Sequence, residues 1–138
     1  MGVIYEHYSE APWDADRWPN FTAAELACPH CGEYYHSIVF VDALQWVRTK
    51  QGKPLRLNSA HRCWFYNASK RIGGAPLSEH KKIAGDLDLE GHDREQLKTD
   101  CRAAGFTGFG HYKTFLHIDM GRPRWWASKA GRPLWNLS

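Results

Sequence analysis

The residues that could do chemistry sit in two short stretches. The first, LSEHKKIAGDLDLEGH, runs from Leu77 to His92 and sets His80 and His92 around alternating acids and aliphatics. Such alternation reads as a strand, and strand residues two apart share a face, so Asp86, Asp88 and Glu90 are expected to point the same way. That pattern suits the wet face of an edge strand, or a strand that lends one acid to a metal. The second stretch, FLHIDM, alternates too. It puts His117 and Asp119 on one face, with Phe115, Leu116 and Ile118 among the packing residues. His80, Asp86 and His117 together make two imidazoles and one carboxylate, the donor set of a catalytic zinc site. Neutral imidazoles and one carboxylate leave the ion net positive, and three protein ligands leave a fourth position open for water. Zinc held this way lowers the pKa of its water from 15.7 toward about 7 and polarises a carbonyl, and amide hydrolysis at neutral pH needs both effects.

The elements that must position these residues follow from local signals. Thr22 and Glu25 form a capping box that opens a short helix leading into a CPHC loop. Phe40, Ala43, Leu44 and Val47 recur at helical spacing within 39–51, and Gly52-Lys53-Pro54 ends that helix. Leu55 to Asn58 alternates as a strand, and 62–72 reads as a short helix or turn ending at Gly73-Gly74. Asp93 caps a helix that runs through Ala104 and stops at Gly105. Residues 106–112 and 115–120 read as a β-hairpin. The Trp- and Pro-rich tail, 122–138, is expected to pack across the domain without regular structure. Helices and strands mix without βαβ regularity, which predicts one α+β domain over 1–138 with a small, largely antiparallel sheet flanked by helices.

Composition narrows the class. At 138 residues with 43% hydrophobic content and seven Trp, the chain is long enough to bury a core and too apolar to be disordered. A net charge of +3, spread along the sequence, is too small to demand a nucleic-acid partner. No apolar run approaches the ~20 residues of a membrane span. The first residues carry acids and tryptophans where a secretory leader needs a basic and then an apolar region, so synthesis as a cytoplasmic species is expected. Cys28 and Cys31 form a single CxxC. With His30 and Cys63 they offer donors for a second zinc, but one such pair without a matching second is a weak signal, and Cys101 reads as core.

The runs LNSAHRCWFYNASKRIGGAPLSEHKKIAGDLDLEGHD and GFTGFGHYKTFLHIDMGRPRWW resemble the zinc D-Ala-D-Ala carboxypeptidase family. That family includes murein peptidases and phage endolysins and shares its fold with the hedgehog signalling domain. The likeness covers residues 21–126. It implies zinc ligands at His80, at an Asp shortly after it and at His117, and it implies that Arg62 grips a substrate carboxylate or carbonyl, with Ser78 also assigned to substrate binding. A guanidinium suits that role because its planar fork meets a carboxylate bidentately.

Two departures matter. The family's commonest spacing would put the acid at Leu87, so matching Ala84-Gly85-Asp86 to the ligand segment implies a one-residue deletion and favours Asp86 over Asp88. Many relatives also carry an acid three residues before the last histidine as general base, where this chain has Thr114. Asp119 and His111 remain as acid–base candidates, Asp119 also reading as a partner that orients a ligand. Elsewhere His7, His36 and His92 are expected at the surface. Trp46, Trp64 and Phe109 are expected in the core, and Trp125 and Trp126 are expected to pack rather than wall a groove. The resulting expectation is a monomeric zinc peptidase that cuts an amide in peptidoglycan peptides, as a D-Ala-D-Ala carboxypeptidase or an endopeptidase. It would reach the cell wall, in the phage-lysis version, through a pore. The alternatives are a zinc domain that binds a partner without hydrolysis and a CPHC-centred nucleic-acid module.

Overall fold

The computed structural model describes residues 2–60 and 84–137. His61, Arg62, Cys63, Trp64, Ser78 and His80, and the helix or turn expected over 62–72, lie outside the described residues.

Local capping signals set the helix ends. α1 (Ala23–Leu26) begins at Thr22, whose hydroxyl accepts from the Glu25 N–H while the Glu25 carboxylate accepts from the Thr22 N–H. α2 (Ile38–Gln51) is capped by Ser37 and ends at Gly52 with φ 69°, a left-handed conformation that favours glycine. α3 (Arg94–Ala104) is capped by Asp93 and ends at Gly105 with φ 115°. A strand β1 (Val3–Tyr5) pairs antiparallel with β2 (Tyr34–His36). The main sheet contains β3 (Leu57–Ser59), β4 (Ala84–Asp88), β5 (Gly108–His111), β6 (Phe115–Asp119) and β7 (Arg124–Ala127), in the order β3-β4-β6-β5-β7. Every pairing is antiparallel except β5 with β7. The architecture is therefore α+β with largely antiparallel sheets, as the mixture of local signals implies.

Strand parity divides the main sheet into two faces. Leu87, Phe109, Leu116 and Ile118 are buried in the core with Phe40, Leu44 and Val47 of α2 and Leu97 and Cys101 of α3. Gly85 lies on this side: a Cβ there would come 2.9 Å from Leu57 Cδ2 and 3.6 Å from Phe40 Cζ. Cys101 is fully buried, and burial pushes its thiol well above its ordinary pKa, as suits a core residue. Asp86, His117 and Asp119 occupy the opposite face.

Several expectations change. The tail is partly regular, because Arg124–Ala127 form β7 against β5. Strand β4 ends at Asp88, so Glu90 leaves the row of acids and its N–H donates to Asp88 Oδ1. His36 is buried, its Nδ1 2.8 Å from the Tyr34 hydroxyl, with the rings of Trp13, Trp18 and Tyr5 around it. His92 is half-buried, its ring bonded to Gln51 Oε1 and the Pro54 carbonyl. Trp46 is 45% exposed on the outer side of α2, whereas Phe109 is in the core. Among the described residues no helix is long and apolar enough to cross a membrane.

Candidate metal centre

The register of β4 against β6 makes Asp86 the direct cross-strand partner of His117. Side chains of such pairs stand about 5 Å apart at Cβ, within reach of each other. His117 Nδ1 lies 3.1 Å from Asp86 Oδ1, and both side chains are largely buried. Two donors of the expected set thus converge, a nitrogen and a carboxylate oxygen, which is a fitting start for a zinc site. Among the described residues no group of three His, Cys, Asp or Glu side chains converges as a metal site. The third expected ligand, His80, is outside them.

Asp88 behaves differently from Asp86. It pairs across the sheet with Phe115, accepts from the Glu90 N–H, and lies 4.0 Å from the largely exposed Arg56 guanidinium. It lines an open hollow of about 430 Å³ together with Asn58, Glu90, Arg94, Lys113 and Thr114. Both signs of charge are present there, one strand step beyond Asp86.

On its other side His117 meets Asp119. His117 Nε2 donates to Asp119 Oδ2 at 2.7 Å. Asp119 is fully buried and takes a bidentate fork from Arg124, with Nη1 donating to Oδ1 at 2.6 Å and Nη2 to Oδ2 at 2.7 Å, while the Gly121 N–H donates to Oδ1 at 3.0 Å. Burial works against ionisation of Asp119, but the hydrogen bonds from His117, Arg124 and Gly121 outweigh it and hold the carboxyl well below the usual range. Burial likewise opposes charge on His117, yet its bonds to Asp119 and Asp86 win and raise its pKa. These donors engage the lone pairs of Asp119, an arrangement suited to orienting the imidazole.

The structure puts His111 elsewhere. Gly110 is the cross-strand partner of His117 and His111 that of Leu116, so the His111 ring belongs to the core face. It is fully buried, its Nδ1 donates to the Trp126 carbonyl at 2.8 Å, and its Nε2 has no partner among the described residues. The rings of Trp125 and Trp135 abut it edge-on. Burial lowers its pKa. The sheet itself stands between His111 and the Asp86–His117 pair.

Sequence reasoning overlooked Arg124, Gly108 and Gly110, and set Trp126 down as packing alone. The ring of Trp126 lies 4.9 Å from that of His117 and its Nε1 donates to the Tyr112 hydroxyl, so it packs directly on the candidate ligand. The signal was the G-F-G run. A side chain at Gly108 would collide with the Arg124 guanidinium and the Asp119 carboxylate, and a Cβ at Gly110 would stand 2.6 Å from the Trp126 ring. Alternate glycines on one strand face make room for something, here the groups around His117.

Cys28 is buried and Cys31 exposed, and the CPHC turn is closed by the Cys28 N–H to the Glu33 carbonyl and the Gly32 N–H to the Cys28 carbonyl. The model of one protein family, described as Peptidase M15, matches residues 19–119. No curated protein compared with the chain matches it.

Proposed function

The chain belongs to the M15 peptidase family, and we propose that it is a zinc peptidase hydrolysing an amide bond in bacterial peptidoglycan peptides. It would act as a D-Ala-D-Ala carboxypeptidase or as an endopeptidase of the endolysin kind. The observation that carries this reading is the Asp86–His117 pair, a half-buried carboxylate and a buried imidazole that face each other across two strands at 3.1 Å. With His80 they would hold the metal. When bound, zinc supplies Lewis acidity toward the scissile carbonyl and a more acidic water. Asp86 is the acid of choice because it is the cross-strand partner of His117, whereas Asp88 is occupied by the Glu90 N–H.

The other residues divide the remaining work. Asp119 holds His117 through Nε2, and Trp126 covers the imidazole and keeps water from that side. Arg62 grips a substrate carboxylate through its fork, with Ser78 beside the metal ligands in sequence. The hollow at Asp88 offers Asp88 and Glu90 to an ammonium and Arg94 and Lys113 to a carboxylate. A peptide bearing both groups suits it. Metal analysis of the purified chain and of Asp86→Ala, Asp88→Ala and His117→Ala tests the ligand set. One zinc per chain, kept in Asp88→Ala and lost in the other two, is expected. Full zinc in Asp86→Ala or His117→Ala would overturn the assignment.

A further inference from the structure

We propose that Arg124, contributed by the tail strand β7, is a positioning residue that dictates which nitrogen of His117 is offered to the metal; this rests on the zinc reading above. Both oxygens of Asp119 accept two hydrogen bonds each. Its Oδ1 takes Arg124 Nη1 and the Gly121 N–H, and its Oδ2 takes Arg124 Nη2 and His117 Nε2. An ionised carboxylate only accepts, so the nitrogen facing it must carry the proton. Asp86 faces the other nitrogen, Nδ1, but as a proposed ligand it would share the metal with that nitrogen, so the metal would take the place of a proton between them, and the one N–H that a neutral imidazole keeps is the Nε2–H held by Asp119. The choice of nitrogen is thus made on the far side of the ring from the metal.

Arg124 fixes that choice because it fixes the carboxylate. A bidentate fork holds the carboxylate plane, whereas a single contact would let it turn about its terminal bond. The fork is itself held on several sides. Gly108 is the parallel partner of Arg124 and leaves the space that the guanidinium and Asp119 fill. The guanidinium lies 5.1 Å from the centre of the Trp126 ring, which also packs on the His117 imidazole. The Arg122 carbonyl accepts a further bond from Nη1. Arg124 and Trp126 lie beyond residue 119, where the family match ends. The tail strand is therefore part of the metal site and not a cover over the fold.

The test is zinc affinity of the full chain, measured by chelator competition at a temperature where every variant is folded, together with the visible spectrum of the cobalt-substituted protein. Arg124→Lys keeps the charge without the fork, and Arg124→Gln removes both. Zinc affinity is expected to fall about 10- to 100-fold in Arg124→Gln, the range seen when partners of metal-bound histidines are removed. Arg124→Lys should fall between it and the wild type, with the cobalt bands shifted in both. Should Arg124→Gln fail to fold, Arg124→Lys carries the test alone, with a loss of threefold or more expected. Zinc affinity within twofold of wild type and unshifted cobalt bands, with at most a lowered melting temperature, would overturn the proposal and leave Arg124 structural. His117→Ala separates the two levels: if it binds zinc as well as the wild type does, the zinc reading itself fails. If it alone loses zinc, only the role of Arg124 fails.

Discussion

Gly110→Ala is a one-methyl change that tests how tightly the site face is packed. The added carbon would lie 2.6 Å from Cε2 and Cζ2 of Trp126 and 2.8 Å from its Nε1. Ordinary carbon contacts need about 3.5 Å or more, so the indole must retreat by roughly 1 Å. It has little freedom to do so. Its N–H donates to the Tyr112 hydroxyl at 2.9 Å, and its ring is caught between His117 and Arg124. Overpacking of this kind costs about 1–3 kcal/mol, and a weakened Trp126–Tyr112 bond adds about 0.5–1.5 kcal/mol. Against this, alanine restricts the unfolded chain and returns about 0.4–1 kcal/mol. The steric terms win, leaving a net loss of about 0.5–4 kcal/mol. In urea, with a slope near 2 kcal/mol/M, the unfolding midpoint should drop by roughly 0.25–2 M. Trp126→Phe in the same chain should relieve the clash, so the double variant should be more stable than the sum of the two single changes implies. An unchanged or raised midpoint in Gly110→Ala would show that the Trp126 ring is not held where the argument needs it.

His111→Phe should leave peptidoglycan hydrolysis within a few-fold, because His111 is on the core face; a loss of 10²-fold or more would restore it as an acid–base group. The same variant reports on pH. Burial lowers the pKa of His111, so the folded form stays neutral while the unfolded chain gains a proton as pH falls below about 6.5. The stability it contributes is present above that pH and is lost below it, by up to about 1.4 kcal/mol per pH unit until the folded group also titrates. His36 shifts the same way and His117 the opposite way, and both remain in the variant. Between pH 7.5 and 5.5 the wild type should therefore lose ground relative to His111→Phe in urea unfolding, and parallel losses would contradict a neutral buried His111. Arg62→Lys should lower kcat/KM about tenfold or more with zinc content unchanged, the loss of a charge-assisted fork; unaltered kinetics would make Arg62 structural.

What the sequence made legible was what local chemistry decides. The Thr22–Glu25 box, the Asp93 cap and the glycines at 52 and 105 act within a few residues, and the helices begin and end there. Strand parity placed His117 and Asp119 on one face for the same reason. The misses are non-local. Strand β7 pairs with β5, and its RWWA run has no alternation to announce a strand. His36 is buried only because Trp13, Trp18 and Tyr5 arrive from elsewhere in the chain. Parity does not separate Asp86 from Asp88, since both share a face; the register sets Asp86 opposite His117 and Asp88 opposite Phe115. The face taken by His111 likewise needed the hairpin register, which puts Gly110 and not His111 opposite His117.

In the proposed function, a zinc held by His80, Asp86 and His117 drives hydrolysis of peptidoglycan peptides. The most direct measurement is release of new amino or carboxyl termini from purified peptidoglycan by the full chain, with its zinc content determined in parallel. It is run as purified, after chelation and after zinc is restored. The expected result is about one zinc per chain, hydrolysis abolished with the metal removed and recovered with it, and no recovery in His117→Ala. Hydrolysis that persists in the metal-free chain, or a zinc-loaded chain that leaves peptidoglycan intact, would contradict it.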